Sequence, residues 1–176
     1  MQCPRSVRAR FAAATAAAAV ALVAASGLGS PQRAHAAAPR ACATSGLVVW
    51  LNTTSNGAAG SFYYTLELTN LSGAGCTLSG YPGVSAVSLD GTRIGSAATR
   101  TPGGLASAVA LAKGATATVT LRITDVLNFP ASTCKPTTAA GLRVYPPGQT
   151  ASRIVPGPFR ACSRTGTIFM NIGPAS

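Results

Sequence analysis

The chain reads as an all-β protein: an Ig-like antiparallel β-sandwich of about seven to nine strands, held by two disulfides. Three observations predict it. Phe62–Thr69 and Ala115–Ile123 alternate apolar and polar residues with the period of two that marks a half-buried strand. Short β-like runs recur between Gly, Pro, Asn and Ser, and beyond the first 36 residues no segment carries a convincing helical period. Four cysteines, Cys42, Cys76, Cys134 and Cys162, lie in that same region, an even number that suits two cystines in an exported chain.

Export is expected from residues 1–36. Arg5, Arg8 and Arg10 form a basic start, Phe11 to Leu28 is almost unbroken apolar sequence, and Gly27, Gly29, Ser30 and Pro31 interrupt it. Ala34-His35-Ala36 then offers the small residues a signal peptidase accepts, which places the cut after Ala36, with Ala38 as the alternative. Arg8 and Arg10 are not adjacent, so a twin-arginine signal fits worse, and Cys3 precedes the apolar stretch, where a lipoprotein cysteine would follow it. No later segment approaches the ~18 apolar residues of a membrane span, so no transmembrane segment is expected once the leader is removed. Residues 37–41 read as a short disordered lead-in, and 42–172 as the folded domain.

Along that domain, Leu47–Leu51 (LVVWL) is a short apolar run, followed by an Asn52–Gly60 turn. Phe62, Tyr64, Leu66 and Leu68 should share one face of the next strand, and Tyr63, Thr65, Glu67 and Thr69 the other. Val84–Leu89 meets Thr92–Ile94 across Asp90-Gly91, a hairpin signal because both turn residues tolerate positive φ. Ala108–Leu111 leads through Lys113-Gly114 into Ala115–Ile123, with Ala117, Val119, Leu121 and Ile123 inward and Thr116, Thr118, Thr120 and Arg122 outward. Val126–Thr138 reads as loop, and Leu142–Tyr145, Arg153–Val155 and Thr167–Ile172 as closing strands. Four cysteines allow three pairings. Cys42 precedes the first strand and Cys76 follows the second, while Cys134 and Cys162 flank Leu142–Tyr145 and Arg153–Val155 in the same way. Antiparallel pairing would bring each couple together, favouring Cys42–Cys76 and Cys134–Cys162.

The composition argues mostly by exclusion. His35, the only histidine, leaves with the leader, which removes Ser-His and Cys-His nucleophile pairs and histidine metal sites. Without CxxC pairs structural zinc is not expected, and neither a metal nor a cofactor is called for. Glu67, Asp90 and Asp125 are the remaining carboxylates, and nothing in the pattern brings two of them across one bond as a glycosidase requires. The chain is therefore expected not to be an enzyme. Fourteen Lys and Arg lose Arg5, Arg8, Arg10 and Arg33 with the leader, leaving ten against three acids, a net of +7. These ten fall singly, so nucleic acid is not an expected partner, though weak attraction to anionic cell-wall polymers is compatible with the balance. Twelve Arg to two Lys, with abundant Ala and Gly, suit a high-GC bacterium.

Two positive signals remain. Trp50, Tyr63, Tyr81 and Tyr145 offer flat faces for a sugar ring, against the simpler reading of Trp50 and Tyr81 as core or corner residues. The outward Thr116, Thr118, Thr120, Arg122 row suits a flat polar surface, against the simpler reading of a solvated strand face. Tyr63, Tyr145 and Arg122 are the binding candidates.

The run LTNLSGAGCTLSGYPG at Leu68–Gly83, with CATSGLVVWL before it and LAKGATATVTL and GLRVYPPG after it, resembles a known family. It is similar to the actinobacterial secreted and lipoprotein domain known as domain of unknown function 4232, across about residues 42–172, and Asn70-x-Ser72…Cys76-x-Leu78-x-Gly80-Tyr81-Pro82-Gly83 is the most specific piece. The resemblance implies a β-sandwich, an extracellular or cell-envelope location and an actinobacterial source, and it carries no catalytic residues. The expectation is a secreted, monomeric, non-enzymatic domain with an extracellular or cell-wall partner. The alternatives are a carbohydrate or cell-wall binding module and a secreted protease inhibitor, with Ser132–Pro136 as its loop and Lys135 as its specificity residue.

Overall fold

A computed structural model of the chain describes residues 40–176. The leader, its cleavage site after Ala36 and residues 37–39 of the lead-in lie outside the described residues. Eleven strands follow in order: β1 (Leu47–Ala58), β2 (Ser61–Asn70), β3 (Cys76–Ser79), β4 (Gly83–Val87), β5 (Arg93–Ile94), β6 (Thr99–Arg100), β7 (Ala108–Leu111), β8 (Thr116–Thr124), β9 (Pro136–Tyr145), β10 (Arg153–Cys162) and β11 (Met170–Ile172). They form a five-stranded sheet in the order β1-β2-β8-β11-β6, a four-stranded sheet in the order β10-β9-β4-β5, and a β3-β7 pair. The count passes seven to nine because β5 and β6 have two residues each, too few to leave a pattern in sequence. All pairings of these strands are antiparallel except β11 with β6.

Alternation explains where the core sits. On β8, Ala117, Val119, Leu121 and Ile123 are buried while Thr116, Thr118 and Thr120 are exposed. On β2, Leu66 and Leu68 are fully buried. The four-stranded sheet adds Val84, Ala86, Leu142, Val144 and Val155 to the same apolar cluster, so one core fills the space between the sheets. Val84–Val87 is buried at every position, which suits a strand lying between β9 and β5.

Several elements differ from the sequence expectation. Asn52–Gly60 is not a turn: β1 runs on to Ala58, pairs Asn56–Ala58 with Ser61–Tyr63 after a bulge, and reverses at Ala59-Gly60, both at positive φ. These β1 residues are exposed, so no buried face marked them as strand. Val126–Thr138 holds a 3-10 turn at Val126–Asn128, one helical turn, α1 (Ala131–Cys134), and the start of β9. β9 and β10 are each longer than expected, because Pro156, Gly157 and Pro158 lie on an edge strand with a bulge between Pro156 and Phe159, the place in a sheet where proline is tolerated. The last strand starts at Met170 rather than Thr167. Of the expected lead-in, Arg40 and Ala41 lie beside β3, where Thr77 N–H donates to the Arg40 carbonyl at 2.8 Å. Order also continues past Ile172, with Ser176 and Thr118 exchanging backbone hydrogen bonds of 2.9 and 3.0 Å.

Both disulfides pair as expected, Cys42–Cys76 and Cys134–Cys162. The strand ladders bring them together: Leu47 lies opposite Asn70, and Cys162 opposite Pro136. Among the described residues no helix is long and apolar enough to cross a membrane.

The Asp90-Gly91 hairpin closes β4 onto β5, with Gly91 at φ +81°. Ser88 Oγ donates to Asp90, Thr92 Oγ1 donates to it at 2.8 Å and Thr92 N–H at 3.2 Å. The Ser88 bond first, and the Thr92 bonds after it, lower the Asp90 pKa from 3.8 to about 2. A depressed folded-state value means the carboxylate's contribution is present above about pH 4 and is lost as pH falls through about 2. An NMR titration should therefore find Asp90 still ionised at pH 3, and an apparent pKa near that of an ordinary aspartate would show that the turn network does not hold in solution.

Candidate functional site

The outer face of the five-stranded sheet brings the sequence candidates partly together. Because β2 pairs with β8, Tyr63 stands directly opposite Arg122, Thr65 opposite Thr120, Glu67 opposite Thr118 and Thr69 opposite Thr116. Residues directly opposed across an antiparallel pair share a face, so these eight side chains project together. β1 extends the row, with Trp50 opposite Glu67 and Asn52 opposite Thr65. β11 extends it on the other side, with Asn171 opposite Arg122.

At one end of this face the surface becomes concave. Tyr63, Thr120, Arg122 and Asn171 line a groove of about 500 Å³ whose far wall is Thr101–Gly104 with Gly173 and Pro174. The wall is held in place: Tyr81 Oη donates to the Gly104 carbonyl at 2.6 Å, and the Arg100 guanidinium lies 5.1 Å from the centre of the Tyr81 ring. Tyr81 thus serves the corner, as the simpler reading had it. Arg122 Nε donates to Ser61 Oγ at 3.0 Å, which fixes the guanidinium and leaves its two terminal nitrogens for another acceptor. Asn171 Nδ2 donates to Thr99 Oγ1 at 2.8 Å and so turns its carbonyl oxygen free. The arrangement offers one aromatic face, a cation and several hydroxyl and amide groups.

Trp50 is 48% exposed on the same outer face rather than in the core. The apolar run LVVWL has no alternation to show this. Its partner Glu67 lies four residues along β2 from Tyr63, which places the two rings about 14 Å apart by strand geometry. Glu67 accepts from Asn52 Nδ2 at 3.3 Å. Tyr145 does not join the group. It ends β9 in the other sheet, opposite Gly83. Asn171 and the Thr101–Gly104 wall were missed in the sequence, because only the β8–β11 and β11–β6 pairings bring them beside Thr120 and Arg122 of the outward row.

The carboxylates lie apart on the fold: Glu67 on β2, Asp90 in the β4–β5 turn, and Asp125 capping the Val126–Asn128 turn, where it accepts from Leu127 N–H at 3.0 Å. Among the described residues no group of three or more His, Cys, Asp or Glu side chains could hold a metal ion. The Ser132–Pro136 segment is not extended. Ser132 lies in α1, Lys135 has φ +48°, and the Lys135 carbonyl accepts from Ser163 Oγ at 2.8 Å. A protease takes its substrate-like loop as an extended strand, which this backbone does not offer.

Comparison with curated proteins and comparison with solved structures both give no match. The sequence profile of the family described as "Domain of unknown function (DUF4232)" matches residues 42–169. That span runs from the first half-cystine to the residue before β11 and takes in both disulfides and the walls of the groove up to Arg122, so the chain belongs to the domain of unknown function 4232 family.

Proposed function

We propose that this is an exported, non-enzymatic binding domain whose ligand is an acidic carbohydrate of the cell envelope, held on the outer face of the five-stranded sheet. The observation that carries the reading is the Tyr63–Arg122 pair in its walled groove. A flat ring beside an anchored guanidinium suits a sugar that bears a carboxylate or phosphate, because the guanidinium meets either anion with two parallel N–H bonds. Trp50, farther along the same face, supplies a second ring for a polymer, and the +7 balance of the chain beyond Ala36 favours an anionic one. Export is supported by the Ala34-His35-Ala36 sequence after an apolar stretch and by two cystines, which persist in oxidising compartments. The composition and the family resemblance support an actinobacterial source.

The test is co-sedimentation of the purified protein with the producer's insoluble cell-wall fraction, with polygalacturonate and neutral dextran as defined polymers. Retention on the wall and on polygalacturonate but not on dextran is expected. Tyr63→Ala and Arg122→Gln should each weaken it about tenfold, and added salt should weaken the wild type more than Arg122→Gln. Equal retention of wild type and both variants would show that this face is not the site.

A further inference from the structure

The inner face of β2 carries a second feature, independent of the sugar-binding reading. Phe62, Tyr64, Leu66 and Leu68 alternate on the side that faces the core, and Leu66 and Leu68 are fully buried there. Phe62 is not: it stays 42% exposed although it stands directly opposite the buried Ile123. Its other neighbour across the sheet is Gly57, which has no side chain to cover the ring, and a Cβ placed there would meet nothing within 4 Å. On the facing sheet the β10 bulge takes Gly157 and Pro158 out of the regular ladder just before Phe159. The two sheets therefore do not close over each other at this end. A cleft of about 460 Å³ remains, lined by Phe62, Tyr64, Ile123, Val126, Leu127 and Phe159, with Asp125 and Arg160 among its polar residues.

We propose that this open end of the sandwich interior binds a small anionic amphiphile, its acyl or aryl group in the cleft and its anionic group on Arg160. The volume lies in the range of ~300–1,000 Å³ typical of small-ligand pockets, and the walls are apolar and aromatic as such pockets are. Three aromatic rings, three aliphatic side chains and Pro158 around open space expose apolar surface to water, which an apolar group would relieve. The sign of the head group follows from the two charged residues. Asp125 is already engaged as the cap of the turn, accepting from Leu127 N–H at 3.0 Å. The Arg160 guanidinium has no hydrogen-bond or ion-pair partner among the described residues, so its donors are available to a carboxylate or sulfonate.

The purified protein is titrated with 1-anilinonaphthalene-8-sulfonate, and the dye is then displaced with laurate, dodecanol or dodecyltrimethylammonium below their micellar concentrations. Saturable 1:1 fluorescence enhancement is expected, with laurate displacing the dye about tenfold better than dodecanol and the cation worst. Gly57→Trp should fill the mouth and Leu127→Asp should polarise it, each abolishing dye binding at an unchanged thermal midpoint, since Gly57 faces open space and Leu127 is exposed. Arg160→Gln should erase the preference for laurate over dodecanol while dodecanol still binds. No saturable binding by the wild type, or binding that survives both Gly57→Trp and Leu127→Asp, would overturn the site. Equal displacement by laurate and dodecanol in the wild type would overturn the role of Arg160.

Discussion

Replacing Cys134 and Cys162 together by alanine is expected to lower the stability of the domain by about 3.5–4 kcal/mol, the chain-entropy value for a closed loop of this size. The bridge spans 28 residues and joins the start of β9 to the end of β10. Its neighbourhood depends on it. Ser163 N–H donates to the Lys135 carbonyl and Arg164 N–H to the Cys134 carbonyl, both at 3.2 Å, and the Arg164 side chain reaches the Ser132 carbonyl at 2.7 Å. Without the bridge these bonds should open first. Hydrogen exchange should then show lost protection at residues 134–139 and 159–164 while β2 and β8 stay protected. Removing Cys42 and Cys76 should cost a similar amount, because the separation is 34, but should release the other end. There Cys42 N–H donates to the Thr77 carbonyl at 3.0 Å, and Arg40 and Ala41 would detach from β3. An unchanged unfolding midpoint, or uniform loss of protection in either variant, would refute this division of labour.

Gly95→Ala is expected to destabilise by about 3 kcal/mol or more, at the upper end of single-substitution effects. Two penalties combine at this position. Gly95 has φ +62°, where an L side chain is strained, and a Cβ built on it would lie 2.1 Å from the Cys162 carbonyl oxygen and 3.2 Å from its carbon. Both obstacles are backbone, and the Cys162 backbone is held by the disulfide and the β9–β10 ladder, so it cannot yield cheaply. Gly103 and Gly114 separate the two penalties. They have φ +75° and +82° with nothing within 4 Å of an added methyl, so Gly103→Ala and Gly114→Ala should show the backbone strain alone, about 1–2 kcal/mol. Chemical denaturation of the three variants measures the difference, and equal losses in all three would mean that the close approach to Cys162 does not exist.

The two cystines and Gly95 mark how far local sequence reaches. Cys134 and Cys162 could be paired from strand order, because an antiparallel hairpin must bring its two open ends together. Gly95 is silent in sequence: it stands in a Gly- and Ala-rich loop, and only folding places Cys162, 67 positions later, against it. The same contrast holds for the strands. β2 and β8 were legible because each has one face in the core and one in water, and burial of one face writes a period of two. The second half of β1 has no buried face, and β10 carries Pro156, Gly157 and Pro158, so their strand character comes from the neighbours they pair with rather than from their own residues.

The candidate sites divide in the same way. By itself the sequence determined the fold class, the cystine partners, the Asp90-Gly91 hairpin, and that Tyr63 and Arg122 each point away from the core. Tertiary structure alone decided that those two side chains stand opposite each other, since β2 and β8 are separated by five strands in the chain and meet only in the sheet. It also sent Tyr145 to the other sheet, exposed Trp50, raised the Thr101–Gly104 wall, and left the core open beside Phe62. The physical reason is the range of the forces involved. Alternation, turn preference and hairpin closure act between residues near in sequence, whereas register between distant strands and the gap between two sheets are set by how the whole core packs.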